Sequence, residues 1–328
     1  MKLVIPMAGF GTRMRPHTWT RPKPLLPLAG KPMLAHILER FRELPIEEYI
    51  FITGWLGEQV ETYIHETYDI PSHFVEQKEL LGQAHALWLA REQMTGPLFV
   101  LFVDTLFDDT DFSDLQRPGL DGVIFTKHEE DPRRFGVVET DAEGRATRLI
   151  EKPSSVENKN VLMGLYYFAD GDWLARACET LMERRIQTKG EYYLADAVTL
   201  MIEEGANFRT REVGVWQDTG KPETTLLTHR YILEHGYDNS MEALRPTVTL
   251  IPPVYIHPQA IVENAIIGPY VSIHAEAQVR DSIVRDSVID EGALVEAALL
   301  EDSLVGRWAE VTGAFQQLNL GDSSTEAL

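Results

Sequence analysis

Lys2-Leu3-Val4-Ile5-Pro6-Met7-Ala8-Gly9-Phe10-Gly11-Thr12-Arg13 follows directly on the first residue. Its apolar run, residues 2–7, predicts a buried strand, and the glycines behind it predict a tight loop. Lys2, Arg13, Arg15, Arg21, Lys23 and Lys31 are the only charged residues among the first 38, and Glu39 is the first acid. The chain as a whole carries a formal net charge of -21. A local cationic segment in so acidic a protein marks a place for a concentrated anion. Glycines beside it let backbone N–H groups approach that anion closely.

Outward from this loop, strand and helix patterns alternate. Helices are expected over residues 32–44, 57–68 and 84–93, and strands over 49–53, 72–75 and 97–103. Such alternation predicts a mostly parallel sheet with right-handed crossovers. Ligands of such sheets bind beyond the carboxyl ends of the strands, where the glycine loop and Asp104 both fall. Further strands are expected at 122–126, 136–139, 146–151, 162–168 and 213–218, with helices near 171–185, 193–204 and 224–235.

Past residue 250 the period changes. Ile256, Val262, Ile267, Ile273, Val279, Val284, Ile289, Val295, Leu300, Val305 and Val311 follow one another in steps of five or six. That step is too long for a helix turn or a strand alternation. It predicts hexapeptide rungs of a parallel β-helix, each with an aliphatic residue pointing inward. The expected division is a first domain over 1–240, a linker over 241–253, the repeat over 254–313 and a tail over 314–328.

At -21 the net charge argues against general affinity for nucleic acid or an anionic membrane. Cys178 is the single cysteine, so no intrachain disulfide forms, and its helical context reads as packing. No apolar run approaches the roughly 18 residues of a membrane span. No signal peptide is visible, and cytoplasm is the expected location. The histidines show no zinc spacing, and His257 and His274 read as rung corners.

Gly9-Phe10-Gly11 alone is weak. Met14 stands where a dinucleotide fingerprint needs its third glycine, and Gly-Thr-Arg stands where a P-loop needs Gly-Lys-Ser/Thr. The distinguishing run is longer: Gly9-x-Gly11-Thr12-Arg13-x-x-Pro16-x-Thr18, Pro22-Lys23-Pro24-Leu25-Leu26-Pro27 and Gly30-Lys31-Pro32. It resembles the signature of the sugar-1-phosphate nucleotidyltransferases, the NDP-sugar pyrophosphorylases. With its repeat, the chain is most similar to long-form glucose-1-phosphate thymidylyltransferases. The resemblance implies a Rossmann-like, mostly parallel sheet domain followed by a short left-handed β-helix. It also implies an NTP and a sugar-1-phosphate as substrates, with Mg²⁺ as cofactor. The stacked rungs have sticky ends that must be capped or paired, which predicts a homo-oligomer.

The resemblance also implies roles. Ala8, Gly9, Gly11, Thr12 and Arg13 would cradle the nucleotide, and Gln77 and Gly82 would read the edge of thymine or uracil. Asp104 and Asp218 would hold Mg²⁺. Arg13, Lys23 and Lys152 would be the catalytic cations. Gly136, Glu151, Lys152 and Trp216 would contact the sugar; Trp216 reads equally as core. Ala8 replaces a more usual first glycine, and the Ala-Gly-x-Gly form also occurs in uridylyltransferases. Val103 and Thr105 flank Asp104 in place of the usual Gly and Asn, and Lys221 replaces the usual Thr after Asp218-Thr219-Gly220. The implied reaction is nucleotidyl transfer from dTTP to glucose-1-phosphate. UTP is the alternative base donor, and a bifunctional or non-catalytic relative with an acyltransferase-like tail is the other reading.

Overall fold

The computed structural model describes residues 1–314. The expected tail lies, beyond Ala314, outside the described residues. The chain divides into two units: Met1–Leu26 with Pro32–Thr225, and Pro27–Lys31 with Leu226 onward.

The first unit is built on a nine-stranded sheet. Leu98–Leu101, Lys2–Pro6, Glu48–Thr53 and Ser72–Glu76 lie side by side and parallel. Leu3, Val4 and Ile5, and all of Leu98–Leu101, have no solvent exposure. Strands covered on both faces read as continuous apolar runs rather than alternating ones, which is why both were legible. Chain order runs outward from Lys2–Pro6 to Ser72–Glu76, and the next strand, Leu98–Leu101, returns to the other side of Lys2–Pro6. This reversal opens a crevice at the carboxyl ends of Lys2–Pro6 and Leu98–Leu101.

Beyond Leu98–Leu101 the sheet is mixed. Asn160–Phe168 pairs antiparallel with it and with Gly122–His128. Gly136–Thr140 and Ala146–Glu151 form an antiparallel pair at the far edge. Two strands lie outside the sequence reading. Phe208–Glu212 pairs parallel with Gly122–His128, and its alternation is masked by Arg209 and Arg211. Thr105–Asp108 pairs antiparallel with Val215–Asp218 in a separate ribbon, which places Asp218 opposite Thr105. The helices Gln83–Leu89, Gly171–Glu183 and Leu194–Glu203 bury Leu87, Leu174, Cys178 and Val198 in one core. Burial pushes the Cys178 thiol up to about 12, as a packing residue should show.

In the second unit, three stacks of four short strands run in parallel register. Val254 pairs with Val271 and Val271 with Ser287, one coil at a time. The first rung, Val248–Leu250, pairs with Ala265–Ile267, so the repeat begins inside the segment expected to be a linker. Ile267, Ile273, Val279, Val284, Ile289 and Val295 are fully buried. Leu300 and Val311, in the last described strands of their stacks, are half-buried. Corners repeat as well: Asn264, Asp281 and Ala297 each take a left-handed backbone, near +50°. His257 and His274 follow the strand ends Ile256 and Ile273, as expected.

Candidate active site

Gly11 is the hinge of the anion loop. Its φ of 61° is left-handed, and its carbonyl accepts from Thr18 Oγ1 at 2.9 Å. The turn lets a short 3-10 helix, Thr12–Met14, present Arg13. A second 3-10 turn, Lys23–Leu25, presents Lys23. Both cations meet Asp104, just beyond the strand Leu98–Leu101. Lys23 Nζ lies 3.2 Å from its carboxylate and Arg13 Nη2 3.8 Å. Burial works to raise the Asp104 carboxyl, but Lys23 and Arg13 outweigh it and hold it below the usual carboxylate range.

A cavity of about 480 Å³ opens here. Ala8, Gly9, Gly11, Thr12 and Arg13 line it, together with Lys23 and Asp104. Gln77 and Gly82 complete the set expected for a nucleotide. Gly82 has a φ of 112°, and a Cβ there would lie 2.5 Å from the Tyr192 carbonyl oxygen, so only glycine fits.

A smaller cavity of about 200 Å³ shares Arg13 and Asp104 with the first. Gly136, Glu151, Trp216 and Asp218 line it. Asp104 and Asp218 therefore line the same cavity. The ribbon register sets Asp218 opposite Thr105, the residue after Asp104, and the Thr219 N–H donates to the Asp104 carbonyl at 3.1 Å. Asp218 Oδ1 accepts from the Gly220 N–H at 2.8 Å. Among the described residues no cluster of three or more metal-ligating side chains forms. Carboxylates are the ligand type a hard divalent cation takes, with phosphate and water oxygens filling its other positions.

Trp216 is half-buried. It lines the smaller cavity and packs edge-on against Phe135, centroids 5.0 Å apart. Its indole Nε1–H is buried without a hydrogen-bond partner, a donor left for a ligand. Burial pushes the Glu151 carboxyl up, and Lys152 pulls it down. Lys152 itself lines neither cavity. Its Nζ donates to the Tyr193 hydroxyl at 3.1 Å and lies 3.9 Å from Glu151 Oε1, and its backbone is left-handed, φ 50°. Arg134 occupies the cavity edge instead, and the sequence reading passed over it. The signal was the Arg133-Arg134 pair immediately before Phe135-Gly136. Arg133 is held by Asp131 at 2.7 Å, leaving Arg134 to face the cavity. Gln83 and Phe102 line both cavities.

The nucleotidyl transferase family model matches residues 2–235. The chain belongs to this family. Relatives of this nucleotidyltransferase include the low-salt glycan biosynthesis nucleotidyltransferase Agl11 of Haloferax volcanii, 31% identical, with 71% of this chain and 66% of that one aligned. The catalytic subunit beta of mannose-1-phosphate guanylyltransferase from Danio rerio is 30% identical over 80% of this chain and 73% of its own. Glucose-1-phosphate thymidylyltransferase of Streptomyces antibioticus is 30% identical, with 87% and 81% aligned. The chain spans 56% of the bifunctional protein GlmU of Methanococcus vannielii. A UDP-glucose pyrophosphorylase solved with UDP-glucose shares the fold, with a TM-score of 0.62 at 21% identity over 71% of this chain and 98% of that one. Among the described residues no helix is long and apolar enough to cross a membrane.

Proposed function

We propose that this nucleotidyltransferase transfers a nucleotidyl group from an NTP, dTTP foremost, to a sugar-1-phosphate, glucose-1-phosphate foremost. A sugar-phosphate oxygen forms a bond to the α-phosphorus, the bond from that phosphorus to the bridging oxygen breaks, and pyrophosphate leaves. The nucleophile is already an anion, so no strong base is required. The obstacle is bringing two anions together, which makes catalysis a matter of positioning and charge neutralisation. The observation that supports this reading is that Asp104, held by Arg13 and Lys23, lines both cavities, and that Asp218 lines the smaller one with it.

In this reading the glycine loop holds the triphosphate in the larger cavity. The Arg13 fork takes its β and γ oxygens, and Lys23 the α-phosphate side. The smaller cavity takes the sugar phosphate. Glu151 and the Trp216 N–H bond its hydroxyls, Gly136 keeps the space open, and Lys152 or Arg134 meets its phosphate. Asp104 and Asp218 would hold Mg²⁺, which would supply neutralisation of phosphate charge. Gln77 and Gly82 read the base, an edge that thymine and uracil share, so UTP remains the second candidate donor. The chain works as a homo-oligomer in the cytoplasm in this reading, and light scattering tests the first part.

The experiment is pyrophosphate release with glucose-1-phosphate, Mg²⁺ and each NTP in turn. Turnover with dTTP or UTP above the other NTPs is the expected result. No turnover with any NTP and any sugar-1-phosphate removes the proposal.

A further inference from the structure

Gln77 sits just past the strand Ser72–Glu76, with its backbone N–H bonded to the Thr53 carbonyl at 2.8 Å. It is 6% exposed, yet it lines the larger cavity. Its amide nitrogen lies 3.1 Å from the Gly82 carbonyl oxygen and 3.1 Å from His85 Nδ1. A carbonyl oxygen can only accept, so the nitrogen of the amide, not its oxygen, must face Gly82. That decides the amide orientation without appeal to hydrogen positions. The second Nε2–H then meets His85 Nδ1, which must carry a lone pair. The imidazole proton therefore sits on Nε2. Both donors of Gln77 are consumed inside the protein, and Oε1, an acceptor only, is left for a ligand.

The imidazole is held for this task. It lies half-buried in the helix Gln83–Leu89 and stacks on Trp88, centroids 6.3 Å apart at 26°. Burial pushes its pKa down, against the Glu79 carboxylate and a bond to the Glu79 backbone, and this favours the neutral ring.

We propose that His85 is a positioning residue for base selection: with Gly82 it takes up both Gln77 N–H groups and leaves Oε1 to accept a hydrogen bond from the ring N–H of a nucleobase. The inference rests on the nucleotide reading of the larger cavity. Thymine and uracil offer N3–H at the centre of the pairing edge, and guanine offers N1–H. Cytosine and adenine present a lone pair at the same place, which faces the Gln77 oxygen unfavourably. Selection against CTP and ATP thus depends on an orientation that Gln77 does not set alone.

The test compares the full chain with His85→Phe, a ring without an acceptor, and His85→Asn, whose amide oxygen can stand in for Nδ1. For dTTP, UTP, GTP, CTP and ATP, kcat and KM are measured separately. His85→Phe is expected to raise KM for dTTP about fivefold with kcat little changed, the size of one neutral hydrogen bond. It should also narrow the lead of dTTP over CTP, and His85→Asn should restore most of both. In the wild-type protein, ¹⁵N NMR of the imidazole should show Nδ1 unprotonated and Nε2 protonated at neutral pH, with the resonance assigned by its loss in His85→Asn. A protonated Nδ1 would overturn the inference, as would unchanged KM and base preference in His85→Phe. If no NTP is turned over, the functional reading fails by itself. The NMR measurement, with dTTP and CTP affinities by calorimetry in place of KM, still decides the role of His85.

Discussion

Gly136→Ala tests the division of labour between the two cavities. Gly136 opens the strand Gly136–Thr140 and stands opposite Glu151 in the antiparallel register. Its backbone suits any residue, so only space is at issue. A Cβ there would lie 2.6 Å from Leu162 Cδ1 and 2.9 Å from Glu151 Oε2. Leu162 and Glu151 are both largely buried, 8% exposed and 14% by side chain. The Glu151 carboxylate must retreat by about half an ångström to reach ordinary contact. Misplacing a site group by about 1 Å costs on the order of 10²-fold, so half of that costs roughly tenfold. Overpacking adds about 1–3 kcal/mol of lost stability. Pyrophosphate release should then show the sugar-phosphate KM raised roughly tenfold and the NTP KM unchanged, because Gly136 and Glu151 line only the smaller cavity. A lower Tm with both KM values unchanged would refute the assignment of that cavity to the sugar. A raised NTP KM would refute the division itself.

Asp104→Asn leaves Lys23 and Arg13 without the anion between them and should lower kcat by on the order of 10²–10³; pyrophosphate release at saturating substrates checks it. Lys152→Ala and Arg134→Ala, assayed together, separate the two candidates for the sugar phosphate. The geometry favours the larger rise in sugar-phosphate KM for Arg134→Ala, since Arg134 lines the cavity and Lys152 is bonded to Tyr193. Burial raises the Glu151 carboxyl pKa, so folding favours the protonated form. That stabilisation is full below the ordinary carboxylate range and lost as pH rises through the raised value. Tm-versus-pH curves of wild type and Glu151→Gln should therefore converge in acid and separate above it, with the variant higher; a variant that is lower at neutral pH would contradict this. Ile273→Ala, in the repeat core at 0% exposure, should cost about 2–5 kcal/mol in urea unfolding.

Several readings of the site were local and therefore legible. Ala8 to Arg13, Gln77, Gly82, Gly136, Glu151, Trp216 and both acids line one cavity or the other, because short motifs at strand ends carry their side chains with them. Lys152 lines neither cavity and is bonded to a tyrosine far along the chain, a partner that no local motif announces. Arg134 was hidden because nothing in an Arg-Arg pair says which one Asp131 will hold.

What the chain determined by itself is periodic or contiguous: the apolar strand into Gly11, the cations around it, and the five-to-six step of the rungs. These follow from backbone geometry, which repeats over a few residues and shows in the pattern of apolar side chains. Only the tertiary structure decided that Asp218 lies opposite Thr105, next to Asp104, that Val248–Leu250 is a rung, and that the Gln77 amide nitrogen meets Gly82 and His85. Register between distant strands, and the rotamer of a buried amide, depend on partners from elsewhere in the chain, and no local pattern encodes which partner arrives.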